Sequence, residues 1–295
     1  MRLYVIGADG QVARSLREAA SVHDDIVFGF GTRPDVDLLH PKSIHAAIAK
    51  FRPDAVVNPA AFTAVDRAES EPNQAFALNR DGARADAIAA ANQDAPVIHL
   101  STDYVFDGNK IGAYVESDAV APQGVYGRSK LEGETAVAEA NPRHIVLRTS
   151  WIYAPFGSNF VRTMLRLAAE RDRLRVVDDQ VGCPTYAPDI ATAIIAMARK
   201  LTNSGWHSKY AGVTHLAGPD ALTWCAFARE IIRASVERGG RFVPVDPIST
   251  SDYPTAALRP ANSRLSTARL ESIFDLRLPP MKSSLANCLD RLSQS

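Results

Sequence analysis

Three cysteines are all that the 295-residue chain contains, Cys183, Cys225 and Cys288. So few, scattered and odd in number, they exclude a disulfide framework and a clustered zinc site, and they fit a reducing compartment. An excess of one charge is also lacking, because 33 Lys and Arg balance 33 Asp and Glu with no long run of either. That removes the broad basic footprint of a nucleic-acid or membrane-surface protein, while leaving single basic residues able to grip a small anion. No apolar run approaches the ~18 residues of a membrane helix. The run Leu3 to Ile6 meets Gly7 too soon to be the apolar part of a signal peptide. The expectation is a cytoplasmic protein with no nucleic-acid and no membrane partner.

What is present is the composition of a folded chain, 46% hydrophobic and 22% charged, long enough for one large or two smaller domains. Leu3 to Ile6 reads as a strand buried on both faces, and Gly7-Ala-Asp-Gly10-Gln-Val-Ala13 follows it directly into a helical stretch, Arg14 to Ala20. Strand, glycine turn and helix in that order suit a dinucleotide. Gly7 permits the tight turn, and Gly10 lets the backbone approach a pyrophosphate at the helix N-terminus. Ala13 stands where the pattern has its third glycine, a change that touches only helix packing.

A second strand, Ile26 to Phe28, leads into Gly29-Phe-Gly-Thr-Arg33. An acid that would bind the 2′-hydroxyl of NAD is missing there, and Thr32 and Arg33 suit a 2′-phosphate, so NADPH is the expected cofactor. A helix is expected over Pro41 to Phe51, a strand over Ala55 to Asn58, and a long alanine-rich helix over Asn73 to Ala91 that buries Asn79. The fourth strand, Val97 to Leu100, ends in Ser101-Thr102-Asp103, hydroxyls suited to a carbonyl oxygen that gains charge.

Tyr126-Gly-Arg-Ser-Lys130 then places a phenol and an ammonium at i and i+4, on one face of a helix. At roughly 5 Å and an effective dielectric of 20 the ammonium would favour the phenolate by about 3 kcal/mol, or roughly two pKa units. By spacing alone, a surface pair is the commoner reading of these residues. Beyond Trp151, helices are expected over Asn159 to Glu170 and Pro188 to Lys200 and a strand over Arg175 to Val177. Frequent Pro and Gly after them suit a smaller, loop-rich lobe with substrate contacts. Arg259 and Arg264 are candidates for a diphosphate, since guanidinium forks match phosphate oxygens.

Taken together, the glycine turn at Gly7, the Ser101–Phe106 strand end and the Tyr126/Lys130 pair resemble the extended short-chain dehydrogenase/reductase family. Within it they resemble the dTDP-4-dehydrorhamnose reductases. The likeness also covers Val56 to Pro72, Val125 to Glu134, Arg148 to Tyr153, Asp179 to Thr185 and Arg259 to Leu265. It implies an α/β fold, a Rossmann-like doubly wound parallel sheet with a smaller, loop-rich C-terminal substrate lobe. Residues 1–150 would bind NADP(H) and 151–295 mainly the substrate, the helix near 188–200 being free to pack back onto the first part.

The activity it implies is NADPH-dependent reduction of the C4 ketone of dTDP-4-dehydro-L-rhamnose to dTDP-L-rhamnose, with NADH open as a second donor. Tyr126 would be proton donor, Lys130 its pKa partner and ribose ligand, and Thr102 the hydroxyl beside the ketone. Asp103, Trp151 and Arg259 would meet the substrate. Gly7, Gly10, Gln11 and Val12 would hold the pyrophosphate, Asp37 and Leu38 the adenosine side, and Ala61, Phe62 and Thr63 the middle of the cofactor. Departures from the pattern are Ala13, Pro59, Phe62 where histidine is common, and Gly29 to Gly31.

Two rivals share the scaffold. Dehydratases and epimerases keep NAD, and the dehydratases carry an Asp-Glu pair after the strand-end threonine, where this chain has Asp103-Tyr104. A non-catalytic NADP-binding regulatory subunit would have less need of Tyr126 and Lys130. Metal-dependent homodimers occur in the family. The tail Leu289 to Ser295 offers no carboxylate cluster for Mg2+, so no metal ligand is expected.

Overall fold

The computed structural model describes residues 1–294; Ser295, the last residue of the tail considered for Mg2+, lies outside the described residues. Strands and helices alternate through the first half: β1 (Arg2–Ile6), α1 (Gln11–Ala20), β2 (Val27–Gly31), α2 (Pro41–Phe51), β3 (Ala55–Asn58), α3 (Val65–Ser70) and α4 (Pro72–Phe76). Then come α5 (Ala83–Ala91), β4 (Val97–Thr102), α6 (Val125–Ala140) and β5 (His144–Thr149). The second half adds β6 (Ile152–Tyr153), α7 (Phe160–Glu170), β7 (Leu174–Val177), β8 (Val181–Gly182), β9 (Thr185–Tyr186) and α8 (Ala187–Ser204). It closes with β10 (Gly212–His215), β11 (Leu222–Thr223), α9 (Trp224–Val236), β12 (Val245–Ile248), β13 (Asn262–Ser263) and α10 (Met281–Ser293).

Six strands form one sheet in the order β2-β1-β3-β4-β5-β10, every pair parallel. Alternate residues of β1 serve opposite faces, as a period of two requires. Leu3 and Val5 join a core with Leu16 of α1 and Ile190, Ile194 and Ala198 of α8. Tyr4 and Ile6 join another with Ile44 and Ile48 of α2, the buried alanines of α5 and Val137 of α6. Helices therefore cover both faces, which is why the strands read as continuous apolar runs. A further core, with Val161, Met164, Phe227, Ile231 and Leu285, binds α7, α9 and α10 to the parallel pair β7 and β12.

The chain leaves β1 towards β2 and returns to the other side of β1 as β3, so the strand order reverses between β1 and β3. Ligands of open α/β sheets sit outside the carboxyl ends at such a reversal, here beside Gly7 and Asn58.

Two local expectations change. β2 runs on to Gly31 instead of ending at Phe28, so Gly29 to Gly31 are strand and not loop. A side chain at Gly29 would collide with Phe51 and Tyr4, which explains the bare backbone. The expected helix from Asn73 to Ala91 is interrupted by a π-helical stretch, Ala77–Gly82. Such wide turns commonly mark functional positions. This one carries the buried Asn79, whose amide bonds both the N–H and the C=O of Phe62 and the hydroxyl of Ser129.

Candidate active site

Thr102 closes β4, and α6 delivers Tyr126 and Lys130 beside it. Gly124 provides no side-chain cap for α6; instead the Glu69 carboxylate of α3 accepts from the Val125 N–H at 2.7 Å, a negative charge at the positive end of the helix. Two glycines let α6 lie unusually close to its neighbours. A Cβ at Gly127 would stand 2.2 Å from the Tyr104 carbonyl oxygen, and one at Gly133 would stand 2.0 Å from that of Asn79. The helix is thus pressed onto the turn that follows Thr102 and onto the π-helical stretch.

The Thr102 hydroxyl lies beside the Tyr126 phenol and donates to the Asp103 carboxylate at 3.0 Å. Loss of hydration pushes the Tyr126 phenol up to about 12, opposed by the Thr102 hydroxyl and reinforced by the Asp103 charge. This reverses the direction expected from the Tyr126/Lys130 spacing. Lys130 is buried and spends its N–H groups elsewhere, 2.6 Å from the Leu100 carbonyl oxygen and 3.2 Å from His99 Nε2. Its own desolvation pulls its ammonium down to about 8, opposed by the charge of Glu134.

Asp103 is buried as well, and burial raises its carboxyl to about 6 against the hydroxyls of Ser263 and Thr102. Behind Thr102, Ser101 donates to Glu134 at 2.5 Å, and Glu134 receives two hydrogen bonds from Arg148, at 2.9 and 2.6 Å. A bidentate pair of this kind fixes geometry as well as charge. It anchors β4, β5 and α6 to one another immediately below the hydroxyls.

At the end of β1, Gly7 adopts φ +83°, a conformation that glycine tolerates best, and a Cβ there would press on Ala60. Helix α1 begins without a side-chain cap or an acid in its first turn, and a Cβ on Gly10 would meet only open space. The first amides of a helix have no intrahelical acceptor. The start of α1, from Gly10 through Gln11 and Val12, therefore suits an anion in backbone chemistry, charge and room. The Val12 side chain is buried in the core, and Gln11 accepts from Asn159 at 3.0 Å, tying the turn to the segment after β6.

The remaining candidates are dispersed around this centre. Leu38 is buried against Gly82, and Asp37 is half-buried, accepting from the Leu39 N–H at 2.9 Å. Arg33 lies exposed just past β2. Ala61 is half-buried and Thr63 exposed, whereas the Phe62 ring is turned into a cluster with Ala68, Ala75 and Val125. With its backbone bonded to Asn79, Phe62 offers packing rather than a polar contact.

Trp151 has φ +46° and lies parallel to Trp224 with ring centres 3.4 Å apart, against Gly182. Arg259 forms an ion pair with Asp66 at 2.7 Å and so is engaged by a carboxylate of α3. Arg264 bonds to Asn262 at 2.8 Å. Among the described residues no three His, Cys, Asp or Glu side chains gather as a metal site needs, and no helix is long and apolar enough to cross a membrane.

Sequence reasoning passed over His99, Glu134, Arg148 and Trp224. His99 alone left a signal, a histidine inside the otherwise apolar run Val97 to Leu100. The others depend on long-range packing.

Comparison with known proteins agrees with this geometry. Residues 1–294 match the family described as RmlD substrate binding domain. A dTDP-4-dehydrorhamnose reductase of Sinorhizobium fredii is 50% identical over 284 residues, covering 96% of this chain and 95% of the relative. The one from Escherichia coli K12 is 38% identical, covering 99% and 98%. Among solved structures, the reductase of Clostridium acetobutylicum superposes with a TM-score of 0.90 at 34% identity, covering 99% of this chain and all of that one. That of Bacillus anthracis, in complex with NADP, does so at 0.90 and 32% identity, covering 98% and 99%. A UDP-glucose 4-epimerase of Thermus thermophilus shares the fold at 0.79 with 19% identity. With its parallel sheet, its glycine turn and full-length likeness to these enzymes, the chain belongs to the dTDP-4-dehydrorhamnose reductase family of oxidoreductases.

Proposed function

We propose that the protein reduces the C4 ketone of dTDP-4-dehydro-L-rhamnose to the alcohol of dTDP-L-rhamnose, with Tyr126 as proton donor. When bound, NADPH would supply the hydride. The start of α1 would hold the cofactor's pyrophosphate, Thr32 and Arg33 its 2′-phosphate, Asp37 and Leu38 its adenosine side, and Ala61 to Thr63 its middle. Lys130 would meet the nicotinamide ribose. The substrate would lie between the Thr102 end of β4 and the second half of the chain, against Asp103 and Trp151. Arg259 would grip the diphosphate on leaving part of its bond to Asp66.

What supports this reading is the Thr102 hydroxyl set beside the Tyr126 phenol at the carboxyl edge of the sheet, with Lys130 one helical turn away. A phenol near pKa 12 is fully protonated at neutral pH and has a proton to give. The ketone oxygen, gaining negative charge, would accept that proton from the Tyr126 hydroxyl. Thr102, turning its one proton from Asp103, would donate to that ketone oxygen, and Lys130 would oppose the charge of the phenolate left behind. A proton from solvent restores the phenol.

The test is to follow consumption of NADPH with the dTDP keto sugar beside its UDP and GDP analogues. Turnover confined to the dTDP sugar supports the reading. Turnover of none of them removes it.

A further inference from the structure

His99 lies on the central strand β4, completely buried, with its Nε2 3.2 Å from Lys130 Nζ. An ammonium carries three donors and no acceptor. Nε2 can face it only as a lone pair, so the ring is neutral and its proton sits on Nδ1. That Nδ1 has no hydrogen-bond partner among the described residues. An unsatisfied buried donor costs roughly 1–3 kcal/mol. The Leu100 carbonyl oxygen takes a second Lys130 N–H at 2.6 Å. Two acceptors on one rigid strand leave a single N–H for the cleft and fix the rotation of the ammonium.

We infer that His99 is a positioning residue, a neutral imidazole that holds the Lys130 ammonium in a set orientation and favours its charged form. The inference rests on the role given to Lys130 above. The groups acting on Lys130 are His99 and the Leu100 carbonyl from β4 and Glu134 from α6, the last held by Arg148 and Ser101. Burial, and after it the charge of Lys130, keeps His99 well below the usual imidazole range.

The experiment is an NMR titration of Lys130 in the full-length protein carrying isotope-labelled lysine, its signal assigned by loss in Lys130→Arg. Wild type, His99→Leu and His99→Gln are compared. Leu removes the acceptor, whereas the Gln amide oxygen can reach the place of Nε2. The expected midpoint falls by about half a unit or more in His99→Leu, since an acceptor favouring the charged form is gone, and stays near wild type in His99→Gln. The rate kcat should drop about tenfold in the Leu variant and recover in the Gln variant, with KM for the keto sugar little changed.

An unchanged midpoint in His99→Leu, or equal effects of Leu and Gln, overturns the inference. If the Leu variant does not fold, His99→Asn, polar but too short to reach Nζ, replaces it under the same criteria. Wild-type protein without turnover would remove the reductase reading, while the titration would still decide the role of His99.

Discussion

At the scale of single residues, burial outweighs the nearby charges in the site. Tyr126 and Lys130 are moved in opposite directions by the same cause, each towards its neutral form, leaving the phenol near 12 and the ammonium near 8. If the charged Lys130 steadies the developing phenolate, kcat should fall as pH rises through about 8, where the ammonium is lost. A pH–rate profile flat to pH 10 would contradict that role. Asp86 shows the same physics away from the chemistry. It is wholly buried on α5, and desolvation raises its carboxyl to about 8, with neither oxygen hydrogen-bonded among the described residues. An unfolded Asp titrates near 3.9. Between those values the unfolded chain releases a proton that the folded chain keeps, so this residue's contribution is intact below about pH 4 and is lost as pH rises to about 8. Asp86→Asn removes that loss. Urea midpoints should show the variant gaining on wild type between pH 5 and pH 8, by a few kcal/mol at most. A constant difference would show that Asp86 is not the source.

At the scale of elements, what places the chemistry is the closeness of α6 to its neighbours. Gly127 and Gly133 leave no room for a methyl group against backbone oxygens that cannot retreat like the end of a flexible side chain. Gly127→Ala should therefore push the start of α6 away from the turn after Thr102 and lower kcat at least tenfold, with a lower melting temperature. Normal turnover in that variant would mean that the helix position matters little. This element also shows what was legible in the sequence. Helix α6, β3, α2 and the glycine turn were readable because their signals are local: period, propensity and turn chemistry. The extent of β2 was not, because Gly29 and Gly31 look like loop residues until Tyr4, Val36 and Phe51 are seen to occupy the space of their side chains. The interruption of the alanine-rich helix was hidden similarly, since Asn79 earns its place through Phe62 and Ser129, 17 and 50 residues away. For the site, Thr102, Tyr126 and Lys130 are legible from spacing and resemblance; the structure sets Thr102 beside Tyr126 and Lys130 one turn farther along α6, bonded to β4. The direction of the Tyr126 shift is not legible from spacing, because a Coulomb estimate at fixed distance omits desolvation and the acceptors that compete for Lys130.

At the scale of the whole molecule, the sheet and the second half of the chain meet around the Thr102 end of β4. Ser150 donates to the Cys183 carbonyl, and Asn159 donates to Gln11. A cofactor at the reversal of strand order would touch elements from β1 to β6, so its binding should stabilise the molecule as a unit. At 100 times its Kd a ligand adds about 2.7 kcal/mol, readable as a rise in melting temperature. Arg33, exposed just past β2, is assigned the 2′-phosphate. Arg33→Ala should weaken NADPH more than NADH, and equal losses for both would withdraw that assignment.

Tyr126 is the proposed source of the proton for ketone reduction. Turnover of dTDP-4-dehydro-L-rhamnose with NADPH by Tyr126→Phe, in protein whose melting temperature matches wild type, tests it most directly. The kcat should be lower by about 100-fold or more; a kcat equal to that of the wild type would withdraw the assignment.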